Sequence, residues 1–133
     1  MLTKKIGNLG EKIAERYLKK KGYQILEKNY INKFVSGPQK GEIDIIVKKN
    51  DTIIFVEVKS LIIKNEGGRA SGIFPEERVD FLKQRKIMKT AQLWLMEKKL
   101  SLEKKWQTDV VAVEIDLNNK KAKIRHLKNA FFC

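Results

Sequence analysis

The chain has 133 residues, and its 29 Lys and Arg against 16 Asp and Glu leave a net charge of +13. A chain of this length is expected to form one domain, residues 1–133, with a core that needs no staples. The positive excess points to a polyanion, because each Lys or Arg set against a phosphate releases a condensed counterion. With 24 of the 29 basic residues Lys, plain solubilisation of the surface is the competing reading. No apolar run reaches the ~18 residues that a membrane span needs. The opening MLTKKIGNLGEK lacks the apolar stretch of a secretory signal, so a cytoplasmic, membrane-free setting is expected. Cys133 and His126 are the only residues of their kinds, which excludes disulfide frameworks, thiolate zinc sites and multi-histidine centres. Any metal must therefore be held by oxygen, which suits magnesium or manganese.

In chain order, Ile6, Leu9, Ile13, Ala14, Tyr17 and Leu18 recur at helical spacing, predicting a helix over 4–21 that Gly22 stops. Residues 23–32 read as a strand and 33–40, with Ser36-Gly37-Pro38, as a polar loop. Two β-rich runs, 42–48 and 52–59, flank Lys49-Asn50-Asp51 and predict a hairpin. Residues 60–74 contain Gly67, Gly68 and Gly72 and read as a loop. A long helix follows, with Asp80 as N-cap, Lys98-Lys99 near its end, and a stripe of Phe81, Met88, Ala91 and Leu95. Strands at 108–116 and 122–127 close the chain. The order α-β-β-β-α-β-β predicts a mixed β-sheet flanked by helices.

If Asn50-Asp51 is the two-residue turn, Ile43, Ile45, Val47, Ile54, Val56 and Val58 share one apolar face. The other face carries Asp44, Ile46, Lys48, Ile53, Phe55, Glu57 and Lys59. Asp44 then stands opposite Glu57, where like charges repel, and a divalent cation or a shared proton would relieve them. One of the two acids should therefore have a raised pKa. Lys59 adds an ammonium on the same face. Two acids and a lysine suit phosphodiester cleavage: a cation acidifies bound water and stabilises charge on the phosphorus oxygens, and the lysine positions water and offsets phosphate charge.

Gly41–Ile46 (GEIDII) and Phe55–Lys59 (FVEVK) resemble the D…ExK motif of the restriction-endonuclease-like superfamily. The whole chain is similar to the YraN-type uncharacterised family, itself similar to archaeal Holliday junction resolvases. Gly7-x-x-Gly10-Glu11-x-x-Ala14, Lys83-Gln84 and Asn129-Ala130-Phe131 match in order. The resemblance implies a restriction-endonuclease-like α/β fold and a metal-dependent nuclease acting on DNA, branched or damaged structures included. It implies Asp44, Glu57 and Glu11 as metal carboxylates, the Val58 carbonyl as a further ligand, and Lys59 as the catalytic lysine. Two departures touch substrate contacts: Leu61 stands where a basic residue is usual, and Gln107-Thr108-Asp109 replaces Arg-Phe-Asp.

Lys83, Gln84, Lys64 and Arg69 are expected to bind substrate. Gln84 falls in the apolar stripe of the second helix, where capping a strand end is an equal reading. Glu11 has an alternative as the acid of a capping box with Asn8. His126 reads as structural or exposed, and Trp94 and Trp106 read as core. A nucleic-acid-binding module of the same fold without turnover is the rival function, and a protein-interaction adaptor the third. The sequence leaves the oligomeric state open, a homodimer included.

Overall fold

In the computed structural model, helix α1 (Leu2–Lys20) is followed by strands β1 (Gln24–Ile31), β2 (Glu42–Lys49) and β3 (Thr52–Ile62). Helix α2 (Phe81–Glu97) and strands β4 (Trp106–Asp116) and β5 (Lys121–Leu127) complete the order α-β-β-β-α-β-β. The structure describes residues 2–63 and 81–130. Lys64, Arg69, the Gly67-Gly68 and Gly72 positions and the Asp80 cap lie outside the described residues.

Both helices stop by local means. Gly22 takes φ +90°, while its N–H and that of Tyr23 bond to the Lys19 and Leu18 carbonyls at 3.0 and 2.9 Å. Lys99, at φ 59°, ends α2 the same way: its N–H and that of Leu100 reach the Met96 and Leu95 carbonyls at 2.9 and 2.8 Å. Leu100 then packs on the core beneath α2. Because α1 begins at Leu2, Asn8 is inside the helix and is not an N-cap, which removes the capping-box reading of Glu11.

The five strands form one sheet in sequential order, antiparallel except for the parallel pair β3–β4. A parallel pair needs a long crossover, and α2 lies within it. The Asn50-Asp51 turn sets the β2–β3 register as expected, with Lys49 opposite Thr52 and Ile45 opposite Val56. Asn50 takes φ 55°, a conformation that asparagine tolerates. Strand β3 runs on to Ile62 and β4 starts at Trp106, both longer than expected because each satisfies the other's backbone: Ile53 pairs with Trp106 and Ile62 with Ile115.

Each face of the sheet buries its own core. Ala14 and Leu18 of α1 pack on Ile45, Val47, Ile54, Val56, Val58, Val111 and Val113. Leu9, expected in that stripe, is 38% exposed. On the opposite face Ile87, Ala91, Trp94 and Leu95 of α2 cover Ile46, Ile53, Phe55 and Val110. Ile43, expected beside Ile45 on the α1 face, joins this second core with its partner Tyr30. Next to Tyr30, Asn29 takes φ 53°, a left-handed kink at this end of β1. Phe55 sits edge-on between Trp94 and Trp106, with centroids 5.7 and 5.6 Å away, so both indoles are core residues. No described helix is long and apolar enough to cross a membrane.

Candidate functional site

The β2–β3 ladder ends at Ile45–Val56, while β3 continues against β4. Into this fork comes the Asp44 side chain, whose Oδ2 accepts the Val58 N–H at 2.7 Å. A side chain thus takes a backbone donor that pairing with β2 no longer satisfies. Glu57, the residue before Val58, is 5% exposed, on the face covered by α2. Lys59 Nζ stands 3.6 Å from Glu57 Oε1, and Lys83 Nζ, reaching over from α2, stands 3.2 Å from the same oxygen.

Two glycines let the helices approach this point. A Cβ on Gly10 of α1 would overlap Ser60 Oγ and lie 2.9 Å from Ser60 Cβ, so α1 rests directly on the residue after Lys59. A Cβ on Gly41 would come within 2.5 Å of Thr90 Oγ1 and 3.0 Å of the Lys86 carbonyl of α2. Only hydrogen fits at either place. The GxxGE and GEID motifs are therefore packing motifs as well as carriers of acids.

Burial pushes the Asp44 carboxyl up to about 8, the negative charge of Glu57 adds to the rise, and Glu11 adds a smaller contribution. The Val58 N–H pulls the other way without overcoming them. Lys59 is lowered, first by burial and then by contact with Lys83. For Lys83 burial acts downward, but contact with Lys59 and the charges of Glu57 and Asp44 raise it overall. A buried Glu57, a half-buried Asp44 whose carboxyl is held up to about 8, and the amino groups of Lys59 and Lys83 thus meet at one point of the sheet.

Glu11 is near enough for its charge to reach Asp44, but its Oε1 is bound by Asn29 Nδ2 at 2.9 Å. The same Asn29 amide lies 3.4 Å from Glu42. Among the described residues no three of His, Cys, Asp and Glu converge to hold a metal, so Asp44, Glu57 and Glu11 do not form one ligand cluster. A hard cation still suits the Asp44–Glu57 pair: both donors are oxygen, and the repulsion that raises Asp44 is what a cation would relieve. Backbone oxygen and water would have to complete its shell. Gln84 is half-buried on α2, one residue beyond Lys83.

Two groups of polar contacts have no counterpart in the sequence reading. Glu114, 1% exposed, pairs with Arg125, and Leu61 faces Glu114 across β3–β4. Leu61, where the resemblance implies a basic residue, thus faces an acid that a guanidinium from β5 pairs. Asp109, wholly buried on the α1 side, binds His126 Nε2 at 2.7 Å and the Asn129 N–H and Gln107 Nε2 at 2.8 Å each. His126 Nδ1 meets the Tyr17 hydroxyl at 2.9 Å, so the lone histidine ties α1 to β4 and β5. The sequence marks Asp109 only as the acid kept in Gln107-Thr108-Asp109 and Asn129 only as part of a matched block, with nothing to join them.

Comparison with known proteins gives concordant results. A UPF0102 protein of Alkaliphilus oremlandii is 42% identical over 132 residues, covering 98% of this chain and 100% of the relative. A UPF0102 protein of Caldanaerobacter subterraneus is 42% identical over 131 residues, 96% of this chain and 95% of the relative. One of Clostridium tetani is 42% identical over 129 residues, 97% and 95%. The model of the uncharacterised protein family UPF0102 matches residues 10–113, from the glycine that seats α1 to the centre of β4. On these grounds the chain belongs to UPF0102, the YraN-type family that its motifs resemble.

Proposed function

We propose that this protein is a metal-dependent nuclease that hydrolyses phosphodiester bonds in DNA, with a restriction-endonuclease-like site at the β2–β3 fork. The observation that carries the reading is the meeting of Asp44, Glu57 and Lys59, with Asp44 held up to about 8 by burial and by Glu57. A half-buried acid beside a buried one repels it unless a proton or a cation relieves the pair, and a cation is the reading that gives the arrangement a use. Asp44 and Glu57 would hold magnesium or manganese, which when bound supplies Lewis acidity and a more acidic water. Asp44 gives up its proton to serve, and the Val58 N–H keeps its carboxylate aimed. Lys59, fixed beside Glu57 on the same strand, offsets phosphate charge and orients the attacking water. The +13 net charge supports long-range attraction of the polyanion.

A second reading, a nucleic-acid-binding module without turnover, is favoured by two observations. No third acid joins the pair among the described residues, and Lys83 lies at Glu57. A cleavage panel of single-stranded, duplex, flapped and four-way-junction DNA, with magnesium and with manganese, separates the two. Metal-dependent cleavage lost in Glu57→Gln supports the nuclease. Salt-dependent binding without cleavage of any substrate supports the module.

A further inference from the structure

Glu57 is held by two ammonium groups, and the nearer one does not come from its own strand. Lys83 Nζ lies 3.2 Å from Glu57 Oε1, against 3.6 Å for Lys59. The three side chains differ in freedom. Glu57 is 5% exposed and Lys59 18%, so both are confined, whereas Lys83 is 41% exposed on a long, flexible stem. A carboxylate this deeply buried requires a compensating charge. Part of that compensation comes from a residue able to leave.

We propose that Lys83 is an exchangeable counter-ion. It neutralises Glu57 while no divalent cation is bound, is displaced from Oε1 when one binds, and then pairs with a phosphate of the nucleic-acid strand. The inference rests on the nuclease reading and adds an order of events to it. An ammonium and a divalent cation cannot share one carboxylate oxygen without strong repulsion, and the half-exposed partner is the one that moves. Its way out leads towards solvent, where the substrate's phosphates arrive. While Lys83 holds Glu57, only the fraction of molecules in which it has let go binds the cation at full strength. Because linkage is reciprocal, a phosphate that draws Lys83 away also tightens the cation. Removing Lys83 should thus have opposite effects on the two ligands, a pattern that a merely structural lysine does not give.

The test is Mn2+ binding by calorimetry to the full-length wild type and Lys83→Met, with Glu57→Gln locating the site. Binding of a short single-stranded DNA is measured separately, without metal, across a salt series. Lys83→Met should bind Mn2+ about threefold to fivefold tighter. It should bind DNA more weakly, with the log–log salt slope smaller by about 0.7, the value of one single-strand phosphate. Lysine 13C-methylation followed by NMR should show the Lys83 resonance moving as Mg2+ is added. Lys59 stays beside Glu57 when Lys83 is replaced, so the buried carboxylate keeps one compensating ammonium and the fold is retained. Unchanged or weaker Mn2+ binding in Lys83→Met, where Glu57→Gln abolishes it, overturns the exchange and leaves the metal centre standing. Absence of any Mn2+ binding that Glu57→Gln can remove overturns both.

Discussion

The Asp44 carboxylate accepts the Val58 N–H at 2.7 Å, so an acid of β2 is fixed by the backbone between Glu57 and Lys59. The fork in the sheet and the candidate site are therefore one feature. Had β2 continued to pair with β3 beyond Ile45–Val56, strand backbone would occupy the space that this carboxylate fills. The hydrogen bond favours the ionised acid, while burial and Glu57 oppose it and prevail.

This balance has a pH signature. The Asp44 pKa is raised from 3.8 to about 8 in the folded state. Between those values the native chain holds a proton that the unfolded chain has lost. Stability of the metal-free protein therefore falls as pH rises from about 4 to about 8, and levels off above. Asp44→Asn keeps an acceptor for Val58 and has no such proton. Its stability should be flatter across this window, and above pH 8 it should exceed that of wild type by about 1 kcal/mol or more. Urea denaturation at three pH values checks this; parallel wild-type and Asn curves would mean that Asp44 ionises normally.

Gly10→Ala tests the seat of α1. In an exposed helix the change would stabilise by about 1 kcal/mol. Here the new methyl meets Ser60 Oγ and Cβ, so the net effect should be destabilising by about 1–3 kcal/mol. Adding Ser60→Gly removes both obstructing atoms and should recover most of the loss. Thermal melts of the single and double variants decide it, and equal damage in both would place the fault elsewhere.

Why the fold was legible and parts of the site were not follows from what each depends on. Alternation in 42–59 and the Asn50-Asp51 turn fix the hairpin register, because slipping by one residue would bury Asp44 or Glu57 among aliphatics. That register carried Asp44, Glu57 and Lys59 to one place. Ile43 escaped the same logic: it pairs with Tyr30, next to the left-handed Asn29, and joins the α2-side core, whereas alternation assumes regular strands. The sequence reads Lys83 as a substrate contact, yet its distance to Glu57 depends on how α2 crosses the sheet, which no local pattern encodes. The buried Asp109–His126–Tyr17 chain joins three separate elements and left almost no periodic trace.

Asp109→Ala should be costly for stability and neutral for chemistry. It would leave His126 Nε2, Gln107 Nε2 and the Asn129 N–H without their acceptor in the interior. A loss of about 3–5 kcal/mol is expected. Asp109 lies opposite Val56 on the α1 side of the sheet, away from the face that carries Glu57. At temperatures where the variant is folded, its Mn2+ affinity should match wild type. A specific loss of metal binding in folded protein would tie this cluster to the site.

Lys59→Met separates the lysine's chemistry from its electrostatics. Burial and Lys83 both act against the Lys59 ammonium, while Glu57 and Asp44 favour it. Replacing it with a thioether of similar length removes a half-buried cation and fills the same space, so the melting temperature of the metal-free protein should not fall appreciably. The Asp44–Glu57 pair keeps its oxygens and loses a competing positive charge, so Mn2+ should bind at least as tightly. If the ammonium orients water and offsets phosphate charge, cleavage should drop by at least about 100-fold even with metal at saturation. Lys59→Arg keeps the charge but not its compact, mobile shape, and should recover little of that loss. Single-turnover cleavage at saturating Mn2+, beside calorimetric metal binding, makes the distinction. Full cleavage in Lys59→Met would leave the lysine a structural neighbour of Glu57 and shift water activation wholly onto the carboxylates and the metal.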